Sequence, residues 1–163
     1  MKRGRNIRWF TATGGAALLC LTIIAAMGVP VMGFGKLQVL FSPVEGLVTL
    51  HGKPVAGAEV VQEVFWSRAK DRPPAVTHTG PDGRFSLPAQ EASSLAASIL
   101  PVQPNVVQSI NLNYQGKTYE IYGLQKADYD LNSENGGRPL RLVCELAGEP
   151  AGHGKIFGLC RFE

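Results

Sequence analysis

A chain of 163 residues with 45% apolar content is long enough to close one core. The net charge of +3 invites a nucleic-acid reading, but four of the 16 basic residues, Lys2, Arg3, Arg5 and Arg8, crowd the first eight positions. The 12 that remain face 13 acidic residues, and so nearly neutral a body lacks the electrostatic footprint that phosphate binding requires.

Residues 1–8 read as a basic tail. The segment from Trp9 to Gly35 follows without a charged residue and exceeds the ~20 positions a helix needs to cross a bilayer core. Basic residues before the span keep the N-terminus cytoplasmic, so residues 36–163 are expected on the far side of the inner membrane, in the periplasm. The run is longer than a secretory h-region, so an uncleaved anchor is preferred to a signal segment cut near Ala26-Met27-Gly28 and a soluble periplasmic product. Leu18-Leu19-Cys20 does not suit lipidation, and Cys20 reads as a membrane-buried thiol.

Gly46 to His51 alternates, with Leu47, Thr49 and His51 on one face of a strand and Val48 and Leu50 on the other. Gly52-Lys53-Pro54-Val55 carries turn chemistry, and Glu59 to Trp66 reads as a second strand folding back on the first. A second hairpin is predicted where Ala75–Thr79 and Arg84–Pro88 flank Gly80-Pro81-Asp82-Gly83. Between Trp66 and Val76 lies SRAKDRPPA, an exposed loop and the most basic stretch of the body, with Arg68, Lys70 and Arg72 against Asp71. Ala89 to Leu100 is the one place suited to a short helix, with Leu95 and Ile99 on a common face. Val107–Tyr114 and Lys117–Tyr122 form a further hairpin around Gln115-Gly116, and Asp128 to Pro139 is a polar loop before the last strands. Seven or eight short strands with one short helix argue a β-sandwich.

The last two strands carry Cys144 and Cys160. In an oxidising compartment they can pair, closing a loop of roughly 15 residues worth ~3 kcal/mol; two free thiols are the alternative. A metal site needs more ligands than these two and His153.

The series Gly46-x-Val48-x-Leu50-x-Gly52-Lys53-Pro54-Val55-Ala56-Gly57-Ala58-x-Val60, with Thr79-Gly80-Pro81-Asp82-Gly83-Arg84-Phe85-Ser86-Leu87-Pro88, resembles the start of a carboxypeptidase-regulatory-like domain of the transthyretin-like (prealbumin-like) β-sandwich class. With the entry at Phe41 (FSPVEG) and the stretch INLNYQGKTYEIYGLQK, it is also similar to a family of Gram-negative proteins associated with type VI secretion phospholipase effectors as their immunity partners. The resemblance implies a non-enzymatic module whose partner is a secreted lipase effector.

An enzyme is not expected, and no cofactor is implied. The C-terminus, Leu159-Cys160-Arg161-Phe162-Glu163, lacks the Tyr-Arg-Gly-Ser ending of the hydroxyisourate hydrolases that share the fold. His51, His78 and His153 stand in turn or strand contexts without a nucleophile elbow or a metalloprotease motif. Asp128 and Asp130 are too few for calcium and read as loop residues. A partner-binding role falls to the loops Trp66–Ala75 and Asp128–Arg138, with Trp66, Arg68, Lys70 and Arg72 as candidate anchors because Trp and Arg are enriched at hot spots; Trp66 as core is the competing reading. Other classes remain open: an envelope-assembly module, or a carbohydrate-binding domain stacking sugars on Tyr114, Tyr119, Tyr122 and Tyr129.

Overall fold

The computed structural model describes residues 36–68, 72–94, 104–153 and 155–163. The basic tail at 1–8, the apolar run at 9–35 and Lys70 lie outside them; among the described residues no helix is long and apolar enough to cross a membrane.

The body is all-β, with thirteen strand segments among the described residues rather than seven or eight, several only two or three residues long. One open sheet has the order β11–β12–β9–β8–β4–β5, built from Ala151–His153, Ile156–Gly158, Lys117–Lys126, Val106–Tyr114, Glu59–Trp66 and Ala75–His78. A second has the order β13–β10–β2–β3, from Cys160–Phe162, Leu140–Glu145, Val44–Leu50 and Lys53–Pro54, with β6 (Arg84–Leu87) also on β2. A two-stranded sheet joins β1 (Lys36–Phe41) to β7 (Gln90–Ser94). The buried faces of the two larger sheets contribute to one apolar core, consistent with a β-sandwich. Period-2 burial explains it: Val60, Val64 and Trp66 point inward from β4, and Val44 and Val48 from β2.

The turns fall where their residues predict. His51-Gly52 and Gln115-Gly116 each take two consecutive positive φ values (52° and 73°, 50° and 74°) between directly paired residues, the geometry of a type I′ hairpin. His51 therefore sits in the turn, not on the strand. The expected partners differ, however. β2 returns as the two-residue β3, and β4 crosses to the other sheet. Gly80–Gly83 does close a turn, with the Gly83 N–H donating to the Gly80 carbonyl at 2.9 Å, but β5 and β6 on either side belong to different sheets. The turn is an arch because Gly83 seats against β2, its carbonyl accepting from the Val48 N–H at 2.9 Å, and a Cβ there would stand 2.5 Å from the Val48 carbonyl oxygen.

The helix expected from Ala89 to Leu100 is also corrected. Gln90–Ser94 is strand, registered against β1 from Phe41 to Lys36, and residues 95–100 lie outside the described part. A strand wins because β1 supplies backbone partners and Gln90 turns inward to donate to Gln62 at 3.2 Å. Apart from strands, the described residues hold one 3-10 turn, Ser133–Asn135, between left-handed Asn132 and Gly136.

Cys144 and Cys160 are bonded, directly opposite each other on β10 and β13, and wholly buried. Between them the chain leaves its own sheet, forms the β11–β12 edge of the other and returns, so the bond closes a loop spanning both layers. Replacing both cysteines by Ser is predicted to cost about 3 kcal/mol, roughly 10 °C in melting temperature, with amide exchange rising first in Ala151–Gly158. Unchanged melting of the double variant would show that the bond does not staple the layers.

Candidate partner-binding surface

The two loops singled out by the sequence meet in space. Trp66, at the end of β4, is only 4% exposed; its indole N–H donates to the Tyr129 hydroxyl at 3.1 Å, and the rings cross edge to face at 6.3 Å and 87°. Trp66 is therefore a core residue and not an exposed anchor, because β4 parity turns it inward with Val60 and Val64. Arg68 is half-buried, with one guanidinium nitrogen lacking a partner among the described residues. Arg72 is held back against β7, donating to the Glu91 carbonyl at 3.0 Å.

The Asp128–Arg138 loop is pinned by a buried polar cluster that sequence reasoning missed. A bulge at Ile121 sets Ile110 opposite Tyr122 and Asn111 opposite Glu120, so the inward parity of β9 changes from Tyr119 and Ile121 to Tyr122, Leu124 and Lys126. Lys126 thus ends inside, 3.1 Å from Glu134 of the 3-10 turn, with side chains 2% and 0% exposed. The Glu134 carboxylate also accepts from the Ser42 N–H (3.1 Å), the Ser42 hydroxyl (2.9 Å) and the Gln108 amide (2.9 Å). Burial pushes this carboxyl up, but those hydrogen bonds and Lys126 outweigh it, and the net shift is below the usual carboxylate range. The Tyr122 hydroxyl donates to Gln108 at 3.1 Å, and burial, then the Glu134 charge, raises its pKa. Ser42, Gln108 and Lys126 together satisfy the carboxylate, which is the arrangement of a structural clamp.

A second carboxylate, at the end of β10, ties that strand to β2 and the β2–β3 turn of its own sheet. Glu145 accepts from the His51 N–H (2.7 Å), the Gly52 N–H (3.0 Å), the Thr49 hydroxyl (2.9 Å) and the Ala147 N–H (3.1 Å). The Gly52 bond leads in lowering its pKa to about 2.

What the body offers outward is the outer face of the six-stranded sheet. Glu59, Val61, Glu63 and Phe65 point out from β4, and cross-strand register sets Phe65 beside Val107, Glu63 beside Ser109, Ser109 beside Gly123, and Gly123 beside Phe157. Phe65, Val107 and Phe157 are 52%, 44% and 51% exposed. Glu63 and Glu120 are exposed on this face, and Asn113 bonds Glu59 at 2.8 Å near its end. Strand parity could have found Phe65, since it shares a face with Glu59 and Glu63; the attraction of Trp66 hides it. None of the four tyrosines is a free stacking platform: Tyr122 is buried, and Tyr114, Tyr119 and Tyr129 pack against the core. His51, His78 and His153 are exposed, at the β2–β3 turn, the end of β5 and the end of β11, and the Asp128 carboxylate accepts from the Asp130 N–H.

A family model described as "Domain of unknown function (DUF6795)" matches residues 44–149. The chain belongs to that family. The matched stretch opens at β2 and closes just after Glu145, so it holds Gln108, Tyr122, Lys126 and Glu134 of the buried cluster, though not Ser42, with most of the outward sheet face, and stops short of β11–β13. No curated protein and no solved structure matches the chain.

Lys126→Met alone should destabilise by ~3–5 kcal/mol because it strands a buried charge, whereas Lys126→Met with Glu134→Gln, which removes the charge and keeps an acceptor oxygen for Ser42 and Gln108, should recover part of the loss; equal denaturant midpoints for the single and double variants would rule this out. Glu145 has a folded pKa below its unfolded value of 4.5, so its stabilisation is complete above 4.5 and lost as pH falls toward about 2. The stability gap between wild type and Glu145→Gln should therefore be open at pH 7 and closed near pH 2 in urea titrations.

Proposed function

We propose that the chain is a non-enzymatic, exported protein-binding module of the transthyretin-like β-sandwich class, tethered to the inner membrane by residues 9–35. Its partner is a phospholipase effector delivered by type VI secretion, which it neutralises by covering the effector's surface. The observation that carries the binding role is the exposure of Phe65, Val107 and Phe157 on neighbouring cross-strand rows of one sheet face. Large apolar groups gathered on one surface mark interaction sites more often than chance exposure does. Neutralisation by steric cover needs no reactive side chain, and the buried Lys126–Glu134 clamp gives the face a rigid backing. The resemblance of the FSPVEG entry and the β8–β9 hairpin to the immunity-associated Gram-negative proteins supports the choice of partner, and the charge asymmetry of Lys2, Arg3, Arg5 and Arg8 supports the topology.

The decisive experiment is competition between sister cells. Cells lacking the gene should be killed by effector-delivering siblings and rescued by the full-length protein, but not by a Phe65→Ser, Phe157→Ser variant of unchanged melting temperature. Survival of the deletion strain would refute the immunity role.

A further inference from the structure

The outward face has a low centre. Gly123 of β9 has no side chain, its cross-strand neighbour Ser109 is small, and around them Val107, Gln125, Glu120 and Phe157 border a depression of about 520 Å³. The Glu120 carboxylate leans over the floor: a Cβ on Gly123 would lie 3.2 Å from its Oε1. Lys155, on the turn between β11 and β12, also borders the depression, but Glu120 has no ion pair among the described residues. Glu63 stands in the same cross-strand row, on the other side of Ser109.

An aromatic ring, an aliphatic wall and an unpaired carboxylate around a glycine floor suit one kind of side chain. Resting on the binding role proposed above, we infer that this depression is the socket for an arginine of the protein partner, carried on an apolar segment laid across Phe65, Val107 and Phe157. The guanidinium stacks on the Phe157 ring while Glu120 takes its hydrogen bonds. The acidic face favours a basic anchor, and the flanking apolar residues exclude water around it. Lysine fits less well, since its ammonium cannot combine planar stacking with a two-pronged carboxylate contact.

The test uses the full-length protein and a short peptide with a central Arg flanked by Leu and Phe, with Lys and citrulline versions as controls. Addition of the Arg peptide should shift the Gly123 and Phe157 amide resonances. Binding should weaken about tenfold for the citrulline peptide and for Glu120→Gln. A Cβ at Gly123 crowds only the far end of the flexible Glu120 side chain, and the branches of Gly123→Val fill the floor, so the expected result is an unchanged melting temperature with the shifts gone. Equal binding of Arg and citrulline peptides would overturn the socket, as would full binding by Gly123→Val, or dimers of the wild type that Gly123→Val dissociates. A cell-competition phenotype that survives Gly123→Val would reject the socket and leave the immunity role standing; loss of protection without loss of peptide binding is excluded by the proposal.

Discussion

A single buried carboxylate organises the fold where it matters for the surface. Glu134 joins the β8–β9 hairpin, through Gln108 and Lys126, to the β1–β2 junction, through Ser42, which lies 92 residues upstream of it. A charge taken out of water costs several kcal/mol unless its partners are complete, and here they are. The requirement acts in reverse as well: any arrangement that moves one partner exposes the whole cost, so the loop carrying Glu134 has little freedom. Its neighbour Tyr129 is then held against Trp66, and the inward seat of Trp66 leaves Phe65 facing out.

The clamp exists because of an irregularity. Without the bulge at Ile121, strict alternation along β9 would turn Lys126 to solvent, since Tyr119 and Ile121 already face in. The extra residue lets Ile121 and Tyr122 both bury, and Tyr122 stacks on Phe41 at 5.4 Å. Gly158 approaches the bulge so closely that a Cβ would stand 2.6 Å from the Ile121 carbonyl oxygen, which brings β12 and Phe157 onto the sheet. The buried disulfide then fixes β13, the strand that follows β12, to β10 of the opposite layer. Core constraints thus preorganise the outer face, which lowers the ordering cost of any partner that lies on it.

Much of this was legible beforehand. Gly52 and Gln115-Gly116 announced two turns through their tolerance of positive φ, the β8–β9 hairpin followed from alternation, and the strand setting of both cysteines pointed to adjacent pairing. Gly46 was visible as part of a motif, though its purpose was not: the Phe85 ring lies where a Cβ would be. The segment after Pro88 misled, because helix-compatible composition gives way when a waiting strand offers hydrogen bonds. Trp66 misled for a different reason. Its size and loop-edge position suit a hot spot equally well as a core, and parity along β4 was the better guide.

By itself the sequence determined what depends on neighbours in the chain: an all-β body, its hairpin turns, the asymmetry of charge at the N-terminus and the residues able to face one way along each strand. Sheet membership, the arch at Gly80–Gly83, the inward turn of Lys126 and the dimple at Gly123 were decided only in three dimensions. The physical reason is that local preference sets a strand's conformation, whereas its partner and the environment of its charges are set by which distant segments fill the remaining hydrogen bonds and space. A lysine two turns of alternation past a bulge looks like any surface lysine until its carboxylate arrives from another loop.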